Sequence, residues 1–182
     1  MPLPFQDSFD GGIRPEWQQL KGTWRMNNNA LAPDPSEPTG NYDYSITVVG
    51  DPKWTDYAVD VDVSHKRIDS RFVRVLARAQ NWGNYMAMEV GCCGTHLILV
   101  VNGNDQKIAS SETRGIDWSD IDNWKTDHLR VEVRGSTYTL ISNGMTLVTT
   151  QDSTFSSGKA GLAAWWRPDN DVRFDNFRVS PL

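Results

Sequence analysis

Cysteine is nearly missing from this chain of 182 residues: the only two, Cys92 and Cys93, are adjacent and lie between Gly91 and Gly94. A disulfide framework needs cysteines separated along the chain, so packing must hold this fold together. Two readings of the pair stand, free thiols at a hairpin tip or a vicinal disulfide closing a strained ring. Zinc takes about four ligands, which excludes a metal site built from this pair alone. No run of apolar residues is long enough for a membrane-spanning helix. Lys and Arg number 18 against 23 Asp and Glu, a net charge of −5, and the basic residues are scattered. A nucleic-acid partner requires a clustered basic face, so that class is excluded. His65, His96 and His128 are far apart in sequence and no Gly-x-Ser-x-Gly elbow occurs, which argues against a nucleophilic triad. Residues 1–10 lack a basic start and an apolar core, so they do not read as a signal peptide. A mature domain excised from a secreted protein fits this, as does a product made without secretion, such as a virion component; an intact Met1 leans toward the latter.

What is abundant is alternation. About a tenth of the residues are aromatic, with eight Trp, which a disordered chain would not carry. Period-two patterning runs through almost every segment, and helical periodicity is rare. Residues 23–27, 42–49 and 56–64 read as strands, the last with Val59, Val61 and Val63 inward and Asp60 and Asp62 outward. A meander follows over 71–80, 85–90, 95–101 and 106–110, its strands separated by Gly- and Asn-rich turns that tolerate positive φ. Strands at 128–134 and 138–142 lead to Asn143-Gly144, a type I′ hairpin signal, and into 145–150. Strands at 159–166 and 172–180 finish the chain, and one short helical turn is expected near 119–124. Roughly a dozen strands spaced by about 8–12 residues predict a single all-β domain over residues 1–182, a two-sheet antiparallel sandwich.

Asp7-Ser-Phe-Asp10, Trp17, Gly22-Thr-Trp24, Trp54-Thr-Asp-Tyr57, Arg78 before Asn84-Tyr85, Leu129-Arg-Val-Glu-Val-Arg-Gly135, Ser157-Gly-Lys-Ala-Gly-Leu162 and Phe174-Asp-Asn-Phe-Arg-Val179 occur in that order. In this order they resemble the laminin-G-like jelly rolls of the concanavalin A-like lectin/glucanase superfamily, over roughly residues 5–180. The resemblance implies a jelly-roll sandwich whose ligands bind on the concave sheet or at loops along its rim. It also implies one structural calcium near the junction of first and last strands, where Asp10 and Asp175 are the best ligand candidates. Calcium needs six to eight oxygens, and carboxylates converging without a cation are costly.

Glycosidases on this fold use paired carboxylates. Asp60 and Asp62 share a strand face, but Ser64 stands where a third acid would be, so the pair reads as a solvated outer face. The meander offers more. If Asn81–Asn84 forms a four-residue turn, Gln80 lies opposite Tyr85, and Arg74, Arg78, Gln80, Tyr85 and Glu89 project from one face. Val75, Ala77, Met86, Met88 and Val90 then fill the core. His96 falls opposite Glu89 on the polar face, Trp82 sits in the turn, and Trp165 points outward while Trp166 points in. Planar polar groups and aromatic rings suit sugar hydroxyls and the C–H face of a pyranose. The competing reading is cross-strand pairing on a wet face, with Arg78–Glu89 as a diagonal contact. The expected function is a non-catalytic glycan-binding module with Arg78, Gln80, Trp82, Tyr85, Glu89, His96 and Trp165 at the site, acting outside the cell or on a virion surface. The alternative is a structural or adhesive domain with protein partners in an assembly, and a weaker one is a glycoside-processing enzyme using Glu89.

Overall fold

The computed structural model describes residues 1–36, 43–66, 72–91, 94–113, 115–116, 123–165 and 172–182. The fold is all-β, as the alternation predicts. Fifteen strands follow in chain order: β1 (Phe5–Asp7), β2 (Gln18–Lys21), β3 (Trp24–Asn27), β4 (Ala30–Pro33), β5 (Tyr44–Val49), β6 (Tyr57–His65), β7 (Phe72–Asn81) and β8 (Asn84–Gly91), then β9 (Gly94–Val101), β10 (Asn104–Ser111), β11 (Lys125–Arg134), β12 (Thr137–Ser142), β13 (Met145–Gln151), β14 (Lys159–Trp165) and β15 (Val172–Pro181). The short strands β1, β2 and β4 have no alternation long enough to read from sequence. Cys92, Cys93, Trp166 and residues 119–122 of the expected helical turn lie outside the described residues.

The strands form two antiparallel sheets. The first runs β13-β12-β11-β6-β15-β4-β3, with β1 also paired to β15; the second runs β10-β9-β8-β7-β14-β5-β2. Between them, Val59, Val61 and Val63 of β6 meet the inward residues of the meander, Val75, Ala77, Met86, Met88 and Val90, all buried. Each such aliphatic side chain, fully buried, contributes ~1.5–3 kcal/mol, enough in aggregate to replace cross-links. The inward set matches the sequence reading strand for strand.

In β7 one residue breaks the alternation. Arg78 has φ 51°, and the β7–β8 register shifts between Ala77 and Asn81. Asn81 pairs with Asn84, so the turn is Trp82-Gly83 and not the expected four-residue loop. The extra residues form a β-bulge, which re-aims the side chains it carries. Arg78 therefore leaves the face shared by Arg74 and Glu89 and runs into the end of the sandwich, 2% exposed. Its guanidinium donates to the carbonyls of Phe155 (2.7 Å), Gly135 (2.6 Å) and Thr55 (3.1 Å). Its backbone N–H donates to Tyr57 Oη at 2.6 Å, and that hydroxyl donates on to the Gly158 carbonyl at 3.1 Å. A Cβ at Gly158 would collide with the Arg78 backbone, so only glycine lets this loop close on the bulge.

Replacing Arg78 by Met keeps the length and removes the donors, leaving three carbonyls short of a partner. Unmade buried hydrogen bonds cost about 1–3 kcal/mol each, so Arg78→Met should lose at least ~3 kcal/mol in urea unfolding. A loss below ~1 kcal/mol would contradict this account of the sandwich end.

Candidate functional site

The outward face of the second sheet is built by alternate residues of β5, β14, β7, β8 and β9. Arg74 lies opposite Glu89, and Glu89 opposite His96, the register expected from the sequence. The face is not the wet polar surface the meander suggested. Ile46, Val48, Leu76, Tyr85, Ala87, Ile98, Val100 and Ala163 form a second apolar cluster across it, all buried. The sequence did carry the signal: Leu97–Val101 is an unbroken apolar run, the mark of a strand covered on both faces.

Arg74 sits in that cluster at 2% exposure. Its Nε donates to Glu89 Oε2 at 2.8 Å, its Nη1 to Tyr85 Oη at 3.0 Å, and its Nη2 pairs with Asp105. The guanidinium carbon lies 4.0 Å from the Tyr44 ring centroid, and Tyr44 Oη donates to Glu89 Oε2 at 2.8 Å. Burial alone would lower the pKa of Arg74, but Tyr44, Tyr85, Asp105 and Glu89 outweigh it and hold the cation more firmly protonated. Burial likewise pushes the Tyr44 and Tyr85 phenols up, so both stay neutral, Tyr44 donating to Glu89 and Tyr85 accepting from Arg74. A buried cation with this many partners is fixed in place, and removing any one leaves a costly remainder.

The face opens at one rim. Trp82, 51% exposed, stands in the β7–β8 turn beside Gly103 of the next turn. Lys21 Nζ lies 4.9 Å from the Trp82 ring centroid and 2.6 Å from Asp43 Oδ2. Between Lys21, Asp43, Tyr44, Arg74, Trp82 and Asp105 is a cavity of about 60 Å³. That is well below the roughly 300–1,000 Å³ of small-molecule sites, too little for a sugar ring but enough for a hydroxyl or water.

The expected site residues divide. Tyr85, Glu89 and His96 share the face, Trp82 stands at its rim, and Trp165 points outward, stacked on Tyr44 (6.3 Å, 17°) and against Phe72 (5.2 Å). Arg78 is inside the sandwich end. Gln80 is displaced with it, its Nε2 donating to the carbonyls of Arg78 (3.0 Å) and Ser157 (2.5 Å). Arg74, not Arg78, is the partner of Glu89. Lys21, Asp43, Tyr44 and Asp105 were not singled out by sequence, because they come to the rim from strands distant in the chain.

His96 is 7% exposed, and burial and then Lys107 lower its pKa against the pull of Glu89. Its Nε2 is 3.4 Å from Lys107 Nζ, while Nδ1 has no hydrogen-bond partner among the described residues. Glu89 accepts from both Arg74 and Tyr44, which ties it down as an ion-pair partner. Asp60 and Asp62 are similarly engaged on the first sheet. Arg130 Nη1 reaches both oxygens of Asp60 (2.8 and 2.7 Å), His128 bridges Asp60 (3.2 Å) and Asp62 (2.8 Å), and Asn176 donates to Asp62 (2.8 Å).

The calcium expectation finds no ligand set. β1 does pair with β15, but Asp7 accepts from the Phe9 N–H (2.9 Å) and Trp17 Nε1 (2.8 Å), and Asp10 accepts from Ser8 (2.8 Å). Among the described residues no three His, Cys, Asp or Glu side chains converge on a metal position. Asp10 and Asp175 belong to no such group, and Asp175 Oδ1 accepts the Asn176 N–H at 2.7 Å. Burial raises the pKa of Asp175, and Asp10, Asp62 and Asp7 push it further up. A carboxylate raised above its unfolded value is penalised in the folded state at neutral pH, and the penalty vanishes as pH falls below that unfolded value. Asp175→Asn should therefore raise the melting temperature at pH 7, with the gain closing below about pH 4. EDTA should leave the wild-type melting temperature unchanged. A lower melting temperature for Asp175→Asn in calcium, or a drop with EDTA, would restore the ion.

A family model described as galactocerebrosidase, C-terminal lectin domain, matches residues 30–182. No curated protein matches the chain in sequence. Among solved structures, the carbohydrate-binding module CBM66 from Bacillus subtilis is 20% identical, covering 91% of this chain and 95% of its own, with a TM-score of 0.73. The exoplasmic/lumenal domain of VIP36 in its Ca²⁺- and mannose-bound form is 10% identical over 98% of this chain and 89% of its own, with a TM-score of 0.67. The potassium-bound carbohydrate recognition domain of Emp46p is 8% identical over 96% and 94%, also at 0.67. At these identities the neighbours establish a shared jelly-roll fold.

Proposed function

The chain belongs to the galactocerebrosidase C-terminal lectin domain family, and on that premise we propose that it is a non-catalytic carbohydrate-binding module holding its glycan at the Trp82 rim of the second sheet. The observation that carries the choice of site is the half-exposed Trp82 ring beside charged groups that are already fixed. An exposed indole offers a flat apolar surface for the C–H face of a pyranose. Lys21 supplies a donor there, and Asp43 and Asp105 supply acceptors. Because each cation is paired with a carboxylate, the rim suits neutral hydroxyls better than sulfate or carboxylate. Catalysis has no part in this reading, since Glu89, Asp60 and Asp62 are each held by cations or amides. Calcium, bound in the VIP36 neighbour, has none either.

Glycan-array binding followed by calorimetry tests the site. Trp82→Ala should weaken the array-selected glycan about tenfold to a hundredfold, the ~1.5–3 kcal/mol of an aromatic anchor. Its melting temperature should hold, since the ring is exposed. Unchanged affinity in Trp82→Ala, or an array silent for the wild type, would refute the proposal.

A further inference from the structure

The bulge that removes Arg78 from the curved face builds a cleft elsewhere. At the end of the sandwich, a cavity of about 330 Å³ is lined by Thr55, Asp56, Arg78, Phe155 and serines 136, 153 and 156, with Gly135. This is the lower end of the range that small-molecule sites occupy, and more than five times the hole at the Trp82 rim. We infer that this cleft is a second saccharide site, taking one neutral pyranose unit. The inference rests on the carbohydrate-binding reading of the chain but not on the Trp82 rim.

Three observations carry it. First, the cleft is rigid. Arg78 is 2% exposed and its guanidinium is tied to the carbonyls of Thr55, Gly135 and Phe155, which come from three separate segments. The Gly158 contact and the Tyr57 hydroxyl lock the same loop from behind. Preorganised walls lower the ordering cost of binding. Second, the lining pairs an apolar patch with unspent polar groups. Phe155 is partly exposed, and the hydroxyls of the three serines have no protein partner among the described residues. Third, the charge is balanced. Asp56 lies 3.7 Å from Arg78 Nη2, accepts the Gly135 N–H at 2.9 Å, and keeps its side chain 42% exposed. A carboxylate with free acceptor capacity beside a buried cation favours vicinal hydroxyls, and repels an acidic sugar more than an isolated arginine would.

The experiment is a ¹⁵N NMR titration of the full chain with a panel of neutral hexoses and pentoses, with glucuronate and N-acetylneuraminate as acidic probes. At least one neutral sugar should produce saturable shifts at the amides of Gly135, Ser153 and Ser156. Ser156→Arg, which fills the cleft from an exposed position, should weaken that binding at least tenfold, whereas Trp82→Ala should not. Asp56→Asn, which keeps an acceptor, should weaken it less than Ser156→Arg. No saturable shift at the cleft from any neutral sugar, or saturation by the acidic probes alone, overturns the inference and leaves the Trp82 proposal standing. Sugar shifts at the cleft with none at Gly83 or Gly103 would do the reverse.

Discussion

A single left-handed residue, Arg78, sets which side chains this protein can present together. Without the bulge, β7 would carry Arg78 and Gln80 on the same surface as Arg74 and Glu89. With it, the long cation swings between the sheets' ends and spends its donors on three backbone carbonyls. The meander then continues in a register that brings the Trp82-Gly83 turn next to the Asn102-Gly103 turn, where a Gly103 N–H donates to the Gly83 carbonyl at 2.9 Å. The exposed indole and the serine-lined cleft are two consequences of one local conformation, one at each side of the bulge. A non-glycine residue at positive φ is uncommon and has a cost, which the hydrogen bonds made by the Arg78 backbone and guanidinium offset here.

The second sheet has its own small core on the side away from the first, and that core explains why its charges are so well partnered. Burying Arg74 among Ile46, Leu76, Ala163 and Tyr85 is tolerable only with Glu89, Asp105 and two phenols around it. The network's outer members, Asp105 and Tyr44, reach the rim. Those two side chains are therefore positioned from beneath by packed side chains.

Much of this was legible from sequence. Strict alternation in Asp56–Ser64 and the Gly- and Asn-rich turns gave the sandwich, and Val75, Ala77, Met86, Met88 and Val90 the inward face. The pairing of Glu89 with His96 followed from the glycines that bound the β8–β9 turn. Two things did not follow. Alternation extrapolated past Ala77 assumes an unbroken ladder, and nothing in Leu76-Ala-Arg-Ala79 announces a bulge at an arginine, since the residue that makes room for it, Gly158, is eighty positions away. The rim residues Lys21, Asp43 and Asp105 were also hidden, because they come from segments far apart in the chain whose proximity depends on sheet order. The apolar character of the outer face was available in the run Leu97–Val101 and was outweighed by the polar residues of its neighbour strand.

A crystal structure of the domain with an array-selected oligosaccharide would test the central claim most directly. The account predicts a sugar ring lying on the Trp82 indole, with hydroxyls within hydrogen-bonding distance of Lys21, Asp43 or Asp105 and the Arg74 network unmoved. A glycan lying instead across the opposite surface of the sandwich, over Asp60, His128 and Arg130, would contradict it.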